Sequence, residues 1–209
     1  MFHSQSFSTT GLLPKGQLRN VITGLLFCTI VDATAQEVRF TVLKGGDPVG
    51  SIRAARSISG EHTSYLITSS SVLWMIWKQE VETSMTANFA DGYLASSNYK
   101  LLLNGKMRDS SRLSGSSSEK WAYVHPDPPV PYRSITQWTT SRLYFEEPIG
   151  QASIMVESVL RDCPLRHLGP GIYELTLPNK DRNRYIYKGG RLMEVQAERL
   201  LISLVFRRA

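Results

Sequence analysis

The run Val38-Arg39-Phe40-Thr41-Val42, followed after Leu43 by Lys44-Gly45-Gly46-Asp47, decides the fold class. Apolar side chains recur at every second position, the period of a strand with one covered face and one solvated face. Paired glycines accept the positive φ of a tight hairpin turn, so the chain is expected to double back there. The same grammar repeats outward. Val49 to Ser59 carries Gly50, Ile52 and Ala54 at alternate positions, and Gly60 reverses the chain into Thr63 to Leu73. Glu80 to Phe89 alternates through Val81, Met85 and Ala87. Asp91-Gly92 then turns into Tyr93 to Leu103, which runs to Asn104-Gly105. Asn-Gly between extended runs is a strong hairpin signal, because a type I′ turn needs left-handed backbone at both central residues. Trp74 to Lys78 is apolar on both faces and reads as strand.

Beyond Asn104-Gly105 the pattern loosens. Arg108 to Ser118 is polar and serine-rich, and reads as an outer strand running into a loop. Trp121 to Tyr132 holds four prolines. Proline cannot donate to a β-ladder, so this stretch is expected to be a long crossover lying on the sheet through its aromatics. Ser134 to Ser141 is read as a short helix, at most the one helix of the chain. Ser141 to Glu147 and Ala152 to Leu160 read as strands, Leu165 to Pro170 as a loop, and Ile172 to Leu177 as a strand. Asn183 to Tyr187 is expected to pair with Leu192 to Val205 across Lys188-Gly189-Gly190. Strands of this number, joined by glycine turns and without a fixed repeat, predict a single antiparallel all-β domain over residues 36–209.

Residues 1–35 read as an export leader. Lys15 and Arg19 flank an uncharged apolar run, Val21 to Val31, of about eleven residues. Ala33-Thr34-Ala35 places small side chains where a signal peptidase inspects them, giving cleavage after Ala35 and a periplasmic or extracellular protein. The run is too short to span a bilayer, which needs roughly twenty residues. Leu25-Leu26-Phe27-Cys28 is a poor lipobox, since bulky Phe27 precedes the cysteine. With Cys28 removed, Cys163 is the lone thiol and no internal disulfide can form. No other apolar run reaches membrane-span length. The net charge of +6 is spread over separated pairs such as Arg53 and Arg56, Arg108 and Arg112, and Arg182 and Arg184. Nucleic acid is not expected as a partner, because a groove for it needs a clustered stripe. Weak attraction to an anionic membrane surface fits better.

Several pieces together resemble a family of uncharacterised exported bacterial β-sheet proteins, a domain of unknown function. They are Val49-Gly50, Ser69 to Ser71 before the tryptophans, Glu80-Val81, Gly92-Tyr93-Leu94 with Ser97, and Asn104-Gly105. Tyr144-Phe145-Glu146-Glu147-Pro148 with Gly150, and Asn183-Arg184-Tyr185-Ile186-Tyr187 before Gly189-Gly190, complete the match. The resemblance spans residues 37–198, while Leu200 to Arg208 adds nothing to it. It implies a large curved antiparallel sheet, similar to the half-barrel of lipoprotein carriers, and carries no activity, cofactor or catalytic residue.

No catalytic constellation stands out. His62, His125 and His167 form no spaced metal pair, and no second cysteine completes a thiolate site. No G-x-S-x-G elbow is present, and every Gly-Gly pair sits at a hairpin rather than before a helix. Cys163 with His167 is a weak nucleophile–base pair. Glu146 and Glu147, read on a strand, point to opposite faces and cannot serve each other as acid and base. One of them turned inward would bond a tyrosine or an arginine such as Arg142, forming a clamp, or would contact a ligand. Trp74, Trp77, Trp121, Trp138, Tyr144, Phe145, Tyr185 and Tyr187 exceed what one sheet face hides without a cover. Either the crossover covers them or they line a concave groove for a lipid or other hydrophobic ligand. The preferred reading is a non-enzymatic envelope protein without cofactor or metal that binds such a ligand or an envelope protein partner. Trp74, Trp77, Tyr144, Glu146, Tyr185 and Tyr187 are its ligand-contact candidates. The alternative is an envelope hydrolase whose Ser, His and carboxylate groups meet only on folding. A small outer-membrane barrel is disfavoured by the Phe206-Arg207-Arg208-Ala209 end and the lack of a lipid-facing apolar row.

Overall fold

The computed structural model describes residues 34–74, 77–116, 119–199 and 202–209. The leader expectation falls almost wholly outside them; Thr34 and Ala35 are the first residues of strand β1, paired with Ile58 and Ser57. Among the described residues fourteen strands form one sheet. The first wing runs through β1 (Thr34–Lys44), β2 (Asp47–Ser59), β3 (His62–Trp74), β4 (Lys78–Ala90), β5 (Tyr93–Leu103), β6 (Lys106–Gly115), β7 (Lys120–Val124) and β8 (Val130–Tyr132). The second holds β9 (Ser153–Val156), β10 (Arg161–Gly169), β11 (Ile172–Thr176), β12 (Arg182–Lys188), β13 (Arg191–Glu198) and β14 (Ser203–Arg208). Each wing is an antiparallel meander, and the two join where β14 pairs with β1.

The period-two reading holds in detail. Val38, Phe40 and Val42 of β1 are buried, as are Ile52 and Ala54 of β2, Tyr65 and Ile67 of β3, and Ala87 and Phe89 of β4. Arg39, Arg53 and Thr68 stand on the other face of the same strands, in register with one another or their neighbours. At the β5–β6 turn Asn104 and Gly105 take φ of 52° and 74°, the left-handed pair a type I′ turn demands.

The sheet is all-β and antiparallel but open, which corrects the expected half-barrel. Its order runs linearly from β8 to β9, and these two edge strands are not neighbours. Both edges are short, three and four residues, and β8 contains Pro131, which has no N–H to extend the ladder. The proline-rich stretch is no crossover either. It forms β7 and β8, a hairpin whose turn holds a cis His125–Pro126 bond. β6, expected at the outside, is paired on both sides.

The real crossover is residues 133–152, and it is not helical where a helix is expected. Only Arg142–Tyr144 form one turn of 3-10 helix. The backbone N–H groups of Thr140 and Ser141, which a helix would use internally, donate instead to the Glu157 carboxylate. Ala152 to Leu160 is strand only over β9 before it turns. Leu165 to Pro170 belongs to β10, whose Pro164 lies opposite Ser153 at the start of β9. Leu192 to Val205 divides into β13 and β14, with Arg199 N–H bonded to the Ile202 carbonyl at 3.1 Å and residues 200–201 outside the described residues. The last strand therefore sits in the middle of the sheet. Leu143 from the crossover packs with Phe40, Ile52, Ile67, Ile154, Cys163, Tyr185 and Leu192, whereas Met155 and Leu160 join Tyr65, Phe89, Leu94 and Leu113.

Candidate functional site

Where the crossover leaves β8 it passes over the start of β5 and creates a groove of about 560 Å³. Leu94 N–H donates to the Thr136 carbonyl at 2.8 Å, fixing the crossing. Tyr132 and Thr136 share a hydroxyl–hydroxyl bond of 2.6 Å, which ties the end of β8 to the same point. The Tyr132 hydroxyl is held neutral: burial raises its pKa first, and the Asp162 charge adds to that. Lys120, at the start of β7, donates from Nζ to the Leu94 carbonyl at 2.5 Å. Tyr93, Leu94, Tyr132 and Ile135 supply apolar wall, Lys120 and Arg133 positive charge, and no acid lines the groove. Ile135 is 83% exposed and Tyr93 45% exposed, so this wall is not hidden by the protein's own side chains. A second groove, about 360 Å³ over β2–β5, is lined mainly by Ser and Thr hydroxyls with Arg53, Lys100 and Glu82. Its charges are mixed, with Glu82 beside the two cations in the lining.

The structure brings Tyr144, Tyr185 and Tyr187 together in one core cluster but does not gather all the predicted ligand residues in one groove. Trp74 ends β3 and Trp77 precedes β4, and they are 67% and 59% exposed; the expected strand Trp74 to Lys78 is not strand at Trp77, and its residues 75–76 lie outside the described residues. Tyr185 and Tyr187 are buried, and Tyr187 donates to the Leu143 carbonyl at 2.6 Å. Tyr144 meets Phe40 edge-on, with ring centroids 5.5 Å apart. Burial pushes the Tyr185 hydroxyl up to about 12 and those of Tyr144 and Tyr187 higher, so all three are neutral core groups. The crossover and the protein's own strands, not a ligand, cover these rings.

Glu146 takes the clamp geometry. Arg142 donates to its Oε2 from Nε at 2.9 Å and Nη2 at 2.6 Å, Arg56 to Oε1 at 2.9 Å, and the Tyr65 hydroxyl reaches Oε1 at 3.4 Å. Trp138 stacks under the Arg142 guanidinium at 4.2 Å, which braces it from the other side. Glu147 accepts from the Tyr173 hydroxyl at 2.9 Å. The two carboxylates diverge as expected, although their segment is a turn and not a strand.

The groups a hydrolase needs each have a partner elsewhere. His125 contacts the Tyr123 hydroxyl at 3.2 Å, and His167 stacks on Tyr173 with centroids 5.0 Å apart. Cys163 and His167 lie four residues apart along β10, roughly 13 Å at strand rise, too far for proton transfer. Burial pushes the Cys163 thiol up, with Asp162 adding and Arg161 opposing, the reverse of an activated thiolate. Among the described residues no group of three or more His, Cys, Asp or Glu side chains could hold a metal ion.

Glu157 is the polar residue that sequence reading passed over. It is fully buried and accepts from the backbone N–H groups of Thr140 and Ser141 at 3.1 and 3.0 Å and from both their hydroxyls. Ser111 of β6 donates to its carbonyl, so one residue pins the crossover, β6 and the end of β9. Lys120, Arg133 and Ile135 were missed as well. Ile135 stands alone between Ser134 and Thr136, with no period to mark it.

The fold defines a class: all-β proteins built on one open, fourteen-stranded antiparallel sheet with almost no helix. The chain belongs to the family described as "Domain of unknown function (DUF6134)", whose model matches residues 40–209. That match includes β14, which the sequence resemblance left out. A solved structure described as a beta-barrel-like protein of domain of unknown function DUF1849 from Brucella abortus is similar in fold, with a TM-score of 0.57 at 10% identity. The match covers 86% of this chain and 98% of that one. No curated protein matches the sequence.

Proposed function

We propose that this protein works outside the cytoplasm as a non-enzymatic binder of a hydrophobic ligand, seated in the groove between β5, β7 and the crossover. The observation that carries the reading is the apolar wall of Tyr93, Leu94, Tyr132 and Ile135, part of it open to solvent, in a groove whose volume lies in the small-ligand range. The leader read over residues 1–35 supports export. The separate engagement of His125, His167, Glu146 and Glu147 argues against the hydrolase alternative. Among the described residues no helix is long and apolar enough to cross a membrane. Organic extraction of the purified protein followed by mass spectrometry tests the reading: a co-purifying lipid lost on Ile135→Asp is expected. An empty protein with no affinity for any amphiphile would retire it.

A second reading, contact with an envelope partner, is favoured by the two exposed tryptophans at the end of β3 and just before β4. Trp74→Ala with Trp77→Ala should abolish capture of that partner while leaving the groove's ligand bound.

A further inference from the structure

We infer that the ligand of this groove is an anionic amphiphile, a single carboxylate or phosphate head on an acyl chain, with the head between Lys120 and Arg133. The inference rests on the groove being the ligand site and adds the chemistry of what fills it. Both cations line it and no carboxylate does, Asp162 acting on Tyr132 from outside the lining, so a neutral or cationic head would leave the two cations without a direct partner. Arg133 is exposed and has no hydrogen bond, ion pair or ring contact among the described residues. Among the described residues eight ion pairs elsewhere put an arginine on an acid, Arg142 and Arg56 on Glu146 among them. Lys120 differs usefully from a free surface lysine. One of its three ammonium protons is committed to the Leu94 carbonyl, which aims the charge and leaves two donors for a ligand. A planar guanidinium beside an aimed ammonium suits an oxyanion with two or three acceptors. Tyr93 and Ile135, the exposed apolar side chains of the same groove, would take the first carbons of the chain.

Isothermal titration calorimetry of the purified protein with dodecanoate, dodecyl phosphate, monododecanoylglycerol and dodecyltrimethylammonium tests this. At least one anion should bind tenfold or more tightly than the neutral and cationic probes. Preference between the two anions tells a carboxylate head from a phosphate head. Arg133→Gln, at an exposed side chain without an internal partner, should weaken the preferred anion several-fold and leave the neutral probe unchanged. Lys120→Met should do the same. Equal affinity for anion and neutral probe, or an Arg133→Gln protein with undiminished anion affinity, would overturn the anionic head while leaving a hydrophobic site standing. Failure of all four probes to bind would sink both.

Discussion

The β1–β5 meander and the crossover with its return, residues 133–160, hold their shapes by opposite means. In the meander each strand is specified locally: alternation sets the buried face, the turns set the register, and neighbours pair within a few residues. Its core row of Val38, Phe40, Ile52, Ala54, Ile67 and Phe89 contains no charge. The crossover has one three-residue 3-10 turn and little ladder; most of its backbone donors find carbonyls in local turns, and those of Thr140 and Ser141 reach a buried side chain. Two carboxylates tie the segment down: Glu157 accepts from the Thr140 and Ser141 backbone N–H groups, and Glu146 from the Arg142 and Arg56 guanidinium groups. Regular strands tolerate substitution at many positions because the ladder carries the register. An irregular segment concentrates its stability on a few buried polar groups.

The largest effect should fall at Glu157. Glu157→Leu strands the Ser141 N–H and hydroxyl in the core and leaves Thr140 only the Met155 carbonyl and the Met85 sulfur, and a loss of about 3–5 kcal/mol is expected by urea unfolding. A loss under about 1 kcal/mol would show that the crossover does not depend on this carboxylate and would break the contrast. Next comes a rare weak point of the meander itself. A Cβ on Gly50 would lie 2.2 Å from the Ser70 carbonyl and 2.6 Å from the Ser71 Cα, both backbone. Gly50→Ala should therefore cost about 1–3 kcal/mol, whereas a Ser51→Ala change one residue along should be near neutral. Glu146→Gln should cost less, about 1–2 kcal/mol, because the clamp is partly solvated. Trp138 near-ultraviolet circular dichroism should change with it, since Arg142 loses its anchor; an unchanged spectrum would mean that the guanidinium holds without Glu146. The smallest effect lies in the second wing. There burial would raise the Glu174 carboxyl, but hydrogen bonds and charge from Arg166, with Arg182 and Arg184, outweigh it and hold the pKa below 4.5. A lowered folded-state pKa adds stability above the unfolded value, and that stability is lost as pH falls through the folded one. Wild-type protein should thus lose stability on acidification below about pH 4.5 more steeply than Glu174→Gln. Parallel curves would assign the acid response to other carboxylates.

Much of the first wing was legible because its signals are short-range. β5 coincides with the predicted run Tyr93 to Leu103, and Asn104-Gly105 and Lys44-Gly45-Gly46-Asp47 turn where expected. Prolines misled. Four in twelve residues read as a crossover, yet Pro131 sits on an edge strand, where its missing N–H faces no partner. The break between β13 and β14 was illegible because Arg199 to Ile202 carries no glycine or proline, so two strands read as one. At the site the reading failed differently. Counting aromatics picked Tyr144, Tyr185 and Tyr187, but ring count does not distinguish a core from a groove. Arg133, Ile135 and Lys120 are unremarkable in sequence and meet only because Thr136 docks on Leu94.

By itself the sequence determined the antiparallel all-β class, the buried stripe of each early strand and the places where the chain doubles back, since these depend on residues within a few positions of one another. Tertiary structure alone decided that the sheet stays open, that the last strand lies at its centre beside β1, and that Glu157 becomes the buried anchor of a segment without a ladder. Those outcomes depend on residues tens of positions apart competing for the same faces and the same backbone donors, and no local period records who wins.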